Sequence, residues 1–311
     1  MLLALFHILI FPGMLFLGAY ALVFSFIDRK LYARLQNRRG PRWYQPLADF
    51  LKLLGKETII PEHADKRVFV FLPVMALAAV TAAYLYIPIW SSTSLYPFEG
   101  DLIVLLYLLT LPTLCFFLAG WYSTSVYATI GAVRALTQLF SYEVPLFMAL
   151  LAPALLADSW SLSGMTAYYS THPLYLLINI PAFLVAVIAC QGKLERVPFD
   201  LPEAETELAG GTFVEYSGRL YAIFRMAIDC ELVVVASLIS AVFLPFYPAG
   251  AWAGFGVYIL KTLVILFILA LLRSIMARVR IEQMVAFCWQ YLTPLALIQI
   301  IANLLLKGVL A

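Results

Sequence analysis

RLYAIFRMAIDCELVVVASLISAVFLP, residues 219–245, carries no charge after Glu231 and is apolar along its second half. A helix rises ~1.5 Å per residue, so about 20 such residues cross a hydrocarbon core of ~30 Å. This stretch is long enough. Comparable runs at 4–27, 68–90, 102–121, 127–157, 174–191, 252–276 and 285–307 surround it. With 64% hydrophobic residues, 12% charged and a mean hydropathy of +0.93, the chain lacks the charged surface of a soluble domain. It reads as an all-α polytopic membrane protein: one transmembrane domain over residues 1–311, with about eight spanning helices, the fourth bent at Pro145. Residues 1–27 read as a retained first helix, since no basic region and small-residue cleavage pattern frame them.

Lys and Arg set the orientation. Ten of the 20 fall within 28–67, from Arg29 to Arg67, and others follow at Lys193, Arg196, Arg278 and Arg280. The alternate loops 91–101, 158–173 and 246–251 hold none. Eight spans put every basic loop on one side, expected to be cytoplasmic, with both termini outside. The plasma membrane is the expected location and the lipid bilayer the first partner. A net charge of +2 gives no reason to expect nucleic acid.

The four cysteines and three histidines are scattered, without metal-ligand spacing, so no metal or iron–sulfur site is expected in this chain. Nucleotide loops, nucleophile triads and internal repeats are likewise missing.

Two loops stand out. In the first, NRRGP makes a turn, and Trp43, Leu47, Phe50, Leu51 and Leu54 then recur at helical spacing. That predicts an amphipathic interfacial helix with Lys52 and Lys56 toward headgroups or a docked protein. The second, LERVPFDLPEAETELAGG at 194–211, packs Glu195, Asp200, Glu203, Glu205 and Glu207 into eighteen residues, with Glu215 just beyond. Pro198 and Pro202 oppose a helix at its start. After Pro202, Glu203 and Glu207 are expected to share a helical face, with Glu205 turned elsewhere. Neighbouring carboxylates raise one another's pKa and can exchange protons near neutral pH. Val197, Phe199, Leu201 and Leu208 suggest that the segment folds back into the bundle.

Charges inside the spans need a reason, because each costs on the order of 2.5–3.5 kcal/mol at mid-membrane. Arg134 and Glu143 are nine residues apart, on opposite helix faces, and must find partners elsewhere. Arg225 and Asp229, four apart, are expected to pair. Lys261 is deep and needs a partner. Together with the loop acids, these residues offer polar steps for an ion or proton path.

These residues carry a family resemblance. ERVPFDLPEAETEL…EYSG resembles the signature loop of the membrane subunit shared by respiratory complex I and the energy-converting membrane-bound nickel–iron hydrogenases. DRKLYARLQNRRGP with QPLADFLKLLGKE, GAVRALTQLFSYEVP, and RSIMARVRIEQMVAFCWQYLTPLAL agree in order. The resemblance implies an eight-helix subunit that docks a hydrophilic redox arm and links electron transfer to ion movement. The implied ion-coupling set is Glu143, Arg134, Glu195, Asp200, Glu203, Glu205, Glu207 and Glu215, to which the intramembrane reading adds Asp229 and Lys261. Arg34, Arg38, Arg39, Arg42, Trp43, Asp49 and Lys52 become candidates for docking the arm.

Only Arg42, Trp43 and Tyr44 separate RRGP from QPLAD, where complex I members usually carry a longer Gly-rich insertion. The short connection looks more like the ferredoxin-dependent hydrogenase branch. The resemblance therefore implies a ferredoxin-dependent, ion-translocating hydrogenase complex. This chain would hold no redox centre itself, while hydrogenase-like partners carry iron–sulfur clusters and nickel–iron beside antiporter-like membrane subunits. A sulfur or polysulfide reductase, a quinone-reducing relative, or a purely structural anchor are the alternatives.

Overall fold

The computed structural model describes residues 2–203, 205–248 and 250–310. Among them the chain is helical, with no strand. Helix α1 (Leu2–Leu9) and α2 (Met14–Leu35) are split where Gly13 lies against the carbonyls of His7 and Ile8; a Cβ there would overlap Ile8. α2 runs past the predicted span into its basic continuation. α3 (Gln45–Gly55) is the predicted amphipathic helix, with Leu47 and Leu51 exposed on one side and Pro46 buried on the other. α4 (Lys66–Tyr84), α5 (Asp101–Tyr122) and α6 (Val126–Ala157) follow. α6 keeps helical assignment through both Pro145 and Pro153 over 32 residues, so the expected bend at Pro145 does not interrupt it.

Span five departs from expectation. It is built from two pieces, α8 (Tyr175–Ile178) and α9 (Ile180–Lys193), after the short α7 (Leu162–Thr171). The fourteen residues of α9 reach only about 21 Å. The structure therefore holds seven helical segments long and apolar enough to cross a membrane, with α9 as a shorter eighth apolar helix. Asn179, at the break, is buried in an amide cluster. Asn303 donates to the Asn179 side chain and to the Ala152 carbonyl (2.8 Å each), and Gln299 donates to the Ile178 carbonyl (2.9 Å). The Gln299 bond satisfies a backbone carbonyl at the interruption, and the Asn303 bonds tie the break to α6.

α11 (Gly218–Phe243) is the centre of the bundle: 89% of its apolar window is buried. It packs on α2, α3, α4 and α12 (Ala251–Ile275). α13 (Ile281–Phe287), a π-helical turn at Cys288–Leu292 and α14 (Thr293–Leu310) form the last span, of whose window only 28% is buried. All four cysteines are buried and unbridged.

The basic loops meet at one end, as the Lys and Arg pattern predicts. The Ile59 amide donates to Ser217 (2.9 Å), and the Val279 amide donates to the Pro198 carbonyl (3.1 Å). Loops 28–67, 192–218 and 277–284 thus form a single face.

Candidate functional site

The acidic loop leaves α9 at Lys193 and does not run on as a helix. Its backbone turns at Glu195 (φ +50°) and through Pro198 and Pro202, and helix α10 begins only at Glu205 and ends at Leu208. Glu203 therefore lies outside the helix, and the expected shared face with Glu207 does not form. Phe199, Leu201 and Leu208 are each 4% exposed, so the loop folds into the bundle as its apolar residues suggest. What admits it is a pair of glycines. The turn at Gly211–Phe213 lies directly on Gly131 of α6 and against Gly120 of α5; a Cβ on Gly131 would come within 2.8 Å of the Thr212 amide nitrogen.

This folding closes a cavity of about 460 Å³ between the loop, α2, α11, α12 and the segment after α12. Six acids line it: Asp28, Glu195, Asp200, Glu203, Asp229 and Glu231. Six bases face them: Arg29, Lys193, Arg196, Arg225, Arg273 and Arg278. The site is charge-balanced, not acidic as the loop alone suggests. The sequence counted Glu231 and Arg273 only among the intramembrane charges that could supply polar steps, and assigned no site role to Asp28, Arg29, Lys193, Arg196 or Arg278. Their common signal was available: each is a charge inside a span or within five residues of one.

Three ion-pair groups organise the walls. Asp28, 2% exposed on α2, holds Arg196 of the loop at 2.9 Å and Arg273 of α12 at 3.4 Å. Arg29 reaches Asp49 of α3 at 3.0 Å, and Gln45 donates to the other Asp49 oxygen. Lys193 and Glu231, both almost fully buried, sit 2.8 Å apart. Buried charges survive only when paired and hydrogen-bonded, and Lys193 also donates to the Leu109 carbonyl of α5.

Glu195 differs from these. Its Oε1 is buried with no hydrogen-bond partner among the described residues. Burial, then the carboxylates of Glu203, Glu231 and Asp200, push its carboxyl well above the ordinary 4.5, with Lys193 pulling weakly the other way. A carboxyl in that setting holds a proton that an exposed glutamate would have lost.

The expected Arg225–Asp229 ion pair is not a direct contact; both residues face the cavity as separate members of its network. Arg134 finds its partner outside the cavity: it pairs with Glu207 at 2.7 Å, clamping α10 to α6. Arg134 lowers the Glu207 carboxyl, which is exposed. Glu215 is half-buried beyond the Gly211 turn and is not among the cavity walls. The Glu205 side chain lies outside the described residues. Lys261 is at the opposite end of the bundle, capping the Leu244 carbonyl at 2.9 Å with its ammonium 3.6 Å from the centre of the Tyr247 ring. That capping and cation–π contact account for its burial, and they do not join it to the cavity.

Glu143 is half-buried on α6. It lines a separate void of about 10 Å³ together with Tyr142, Thr110 and Lys193. A further cavity of about 140 Å³ lies under α3, where Phe50, Leu53 and Met226 meet Arg29, Arg225 and Asp229 of the main cavity. Of the docking candidates, Arg34, Arg38, Arg39, Arg42, Trp43 and Lys52 are exposed on the loop face, while Asp49 is turned inward to Arg29. Among the described residues no cluster of three or more His, Cys, Asp or Glu side chains is arranged to hold a metal.

The profile of the NADH dehydrogenase family matches residues 7–304. The chain belongs to this family. Within it, the chain is 34% identical over 315 residues to an NADH-quinone oxidoreductase subunit of Syntrophotalea carbinolica, covering 95% of this chain and 93% of the relative. It is 36% identical over 301 residues to NADH-quinone oxidoreductase subunit 8 of Thermus thermophilus, covering 91% and 81%. Among solved structures, a chain of the membrane-bound sulfane sulfur reductase, an archaeal respiratory membrane complex, superposes with a TM-score of 0.84 at 28% identity, covering 93% of this chain and 96% of that one. This NADH dehydrogenase family chain is thus homologous to a subunit of the NADH-quinone oxidoreductases, and its fold matches a subunit of a sulfur-reducing relative.

Proposed function

We propose that this chain is the arm-docking, ion-coupling membrane subunit of a multisubunit respiratory membrane complex. The observation that carries this reading is the charge-balanced cavity: twelve ionisable groups around a space large enough for many waters, open to the face where the basic loops gather. Events in a redox module seated on that face change the field at Glu195, Asp200 and Glu203. The pairs behind them pass the change into the bundle toward Glu143. The loop face is cytoplasmic in this reading, and its exposed arginines with Trp43 contact the module. The Arg134–Glu207 clamp holds the loop in place at the cavity's edge.

Within that reading the chain serves a ferredoxin-dependent complex of the hydrogenase and sulfur-reductase branch, with iron–sulfur clusters and, for a hydrogenase, nickel–iron on its partners. The short Arg42–Tyr44 connector and the likeness to the sulfane sulfur reductase chain support this branch. The second reading, a quinone-reducing complex, draws on the NADH-quinone oxidoreductase relatives. Metal and quinone content of the complex purified through this chain separates the two. Bound quinone favours the second, nickel the hydrogenase, and iron–sulfur clusters with neither favour the sulfur reductase.

The coupling role is tested with Glu143→Gln and Glu195→Gln in complexes reconstituted into vesicles. The expected result is intact assembly with fewer ions moved per electron. Full ion movement in both variants means that the carboxylates only hold the arm.

A further inference from the structure

The cavity and the Glu143 void are separate spaces, and Lys193 lines both. The void, at about 10 Å³, is at the lower limit for a single water. The void has room for one water at most, and Lys193 is the charged side chain that lines both spaces. Lys193 ends α9, so its backbone is anchored by a helix while its four-carbon stem offers four rotatable bonds between the cavity and the void. Its ammonium touches Glu231 at 2.8 Å, donates to the Leu109 carbonyl and lies 5.9 Å from the Tyr142 ring centre. Lys193 lines the void together with Glu143.

We propose that Lys193 is the positioning residue that joins the cavity to Glu143, its ammonium moving between the Glu231 and Glu143 carboxylates. This inference rests on the coupling role proposed above and names the element that carries it. With Glu231 ionised, the ammonium is held on the cavity side. A proton delivered from the cavity neutralises Glu231 and ends that attraction. The ammonium, keeping its own three protons, then moves toward Glu143 and favours release of the proton there. One proton enters at Glu231 and one leaves at Glu143, and Lys193 exchanges none. The groups that face the ammonium are Glu231 on α11, the Leu109 carbonyl on α5, and Tyr142 and Glu143 on α6, with Glu195 following on the loop. A lysine suits this task better than an arginine, whose planar fork binds a carboxylate at two points and holds it.

The test uses the whole complex in vesicles and reads ions moved per electron. Lys193→Met with Glu231→Leu replaces the pair by apolar groups of similar size, a change that buried ion pairs often tolerate without loss of stability. The exchanged pair, Lys193→Glu with Glu231→Lys, keeps the ion pair but places an acid beside Glu143. Both are expected to lower ions per electron about ten-fold, as deleting or misplacing a charge in a transport path does, and Lys193→Arg is expected to retain part of the coupling. If Glu143→Gln abolishes ion movement while the apolar or exchanged pair pumps within about two-fold of the parent chain, Lys193 is only a structural ion pair and the inference is overturned. If Glu143→Gln itself pumps normally, the underlying coupling reading fails instead. Should the apolar pair fail to assemble, the exchanged pair decides. Should that fail too, Lys193→Arg decides: full coupling with the pH profile of the parent chain overturns the inference, because the held guanidinium has no free passage to Glu143.

Discussion

Asp28→Asn is the most direct test of how the cavity is held together. Asp28 is 2% exposed and carries two guanidiniums, Arg196 at 2.9 Å and Arg273 at 3.4 Å, with side-chain exposures of 16% and 28%. It ties α2 to the acidic loop and to α12. The asparagine keeps an acceptor but removes the charge, leaving both arginines uncompensated. Breaking a buried pair costs about 3–5 kcal/mol. The Arg273 contact is longer and more exposed, so it belongs nearer the ~1 kcal/mol of partly solvated pairs. The low end of the buried range, about 3 kcal/mol, is the working value for the substitution. At roughly 2 °C per kcal/mol for a chain of this length, the thermal midpoint falls by about 6 °C. Tryptophan fluorescence of the detergent-solubilised complex on heating measures it. Adding Arg273→Gln removes one of the stranded charges and recovers part of the loss, with a coupling energy of about 1 kcal/mol or more. A drop smaller than about 2 °C, or strict additivity of the two changes, refutes the idea that this carboxylate organises the cavity.

The Glu195 carboxyl is raised by burial, so the folded chain binds a proton that the unfolded chain releases above pH 4.5. Stability then falls as pH rises from 4.5 toward the raised value, and Glu195→Gln flattens this slope; midpoints measured across pH 4–8 check it. Glu207 shifts the other way through Arg134, so its clamp is complete above pH 4.5 and is lost as pH falls below the lowered value. Being exposed, it also weakens with salt, and limited proteolysis of the 194–211 loop at low and high ionic strength shows whether Glu207→Gln mimics high salt. Gly131→Ala drives a Cβ into the Thr212 backbone and loosens the Gly211 turn, which appears as faster cleavage of the same loop. Trp43→Ser with Leu51→Ser removes exposed apolar groups from the loop face and lowers retention of the peripheral module during purification, with the membrane subunits still together.

Much of the fold is legible in the sequence because the membrane makes demands that composition records directly. Spans must be apolar for about 20 residues, so α2, α4, α5, α6, α11, α12 and the last span could be placed from hydropathy. The shared face of the basic loops followed from counting Lys and Arg. α9 was read too long, since 174–191 is apolar apart from Asn179 and Gln191, and the break at Asn179 depends on amides from α14, far away in sequence. The site was half legible. Six carboxylates near one another announce themselves, and the apolar residues between them correctly indicated a loop that folds inward. Their neutralisation did not show, because Arg29, Arg225, Arg273 and Arg278 come from four different segments and meet only in space. The shared face expected for Glu203 and Glu207 failed for a local reason: helical periodicity was applied to Glu203, which lies in a turn outside α10 (Glu205–Leu208). Arg225 and Asp229 do share a helix and a cavity wall, but no direct ion pair closes between them.

Because six bases face the cavity's six acids, and Glu195 holds its proton, the cavity carries little surplus of either sign with which to gather counter-ions from solution, unlike a cleft lined by one sign. What a neighbour can alter is the sorting of partners, not the total. The same balance restricts how such a chamber can vary. Removing one member of a buried pair such as Lys193–Glu231 or Arg196–Asp28 strands its opposite, so workable alterations there come in compensating couples, one acid with one base, or as exchanges of sign across a pair.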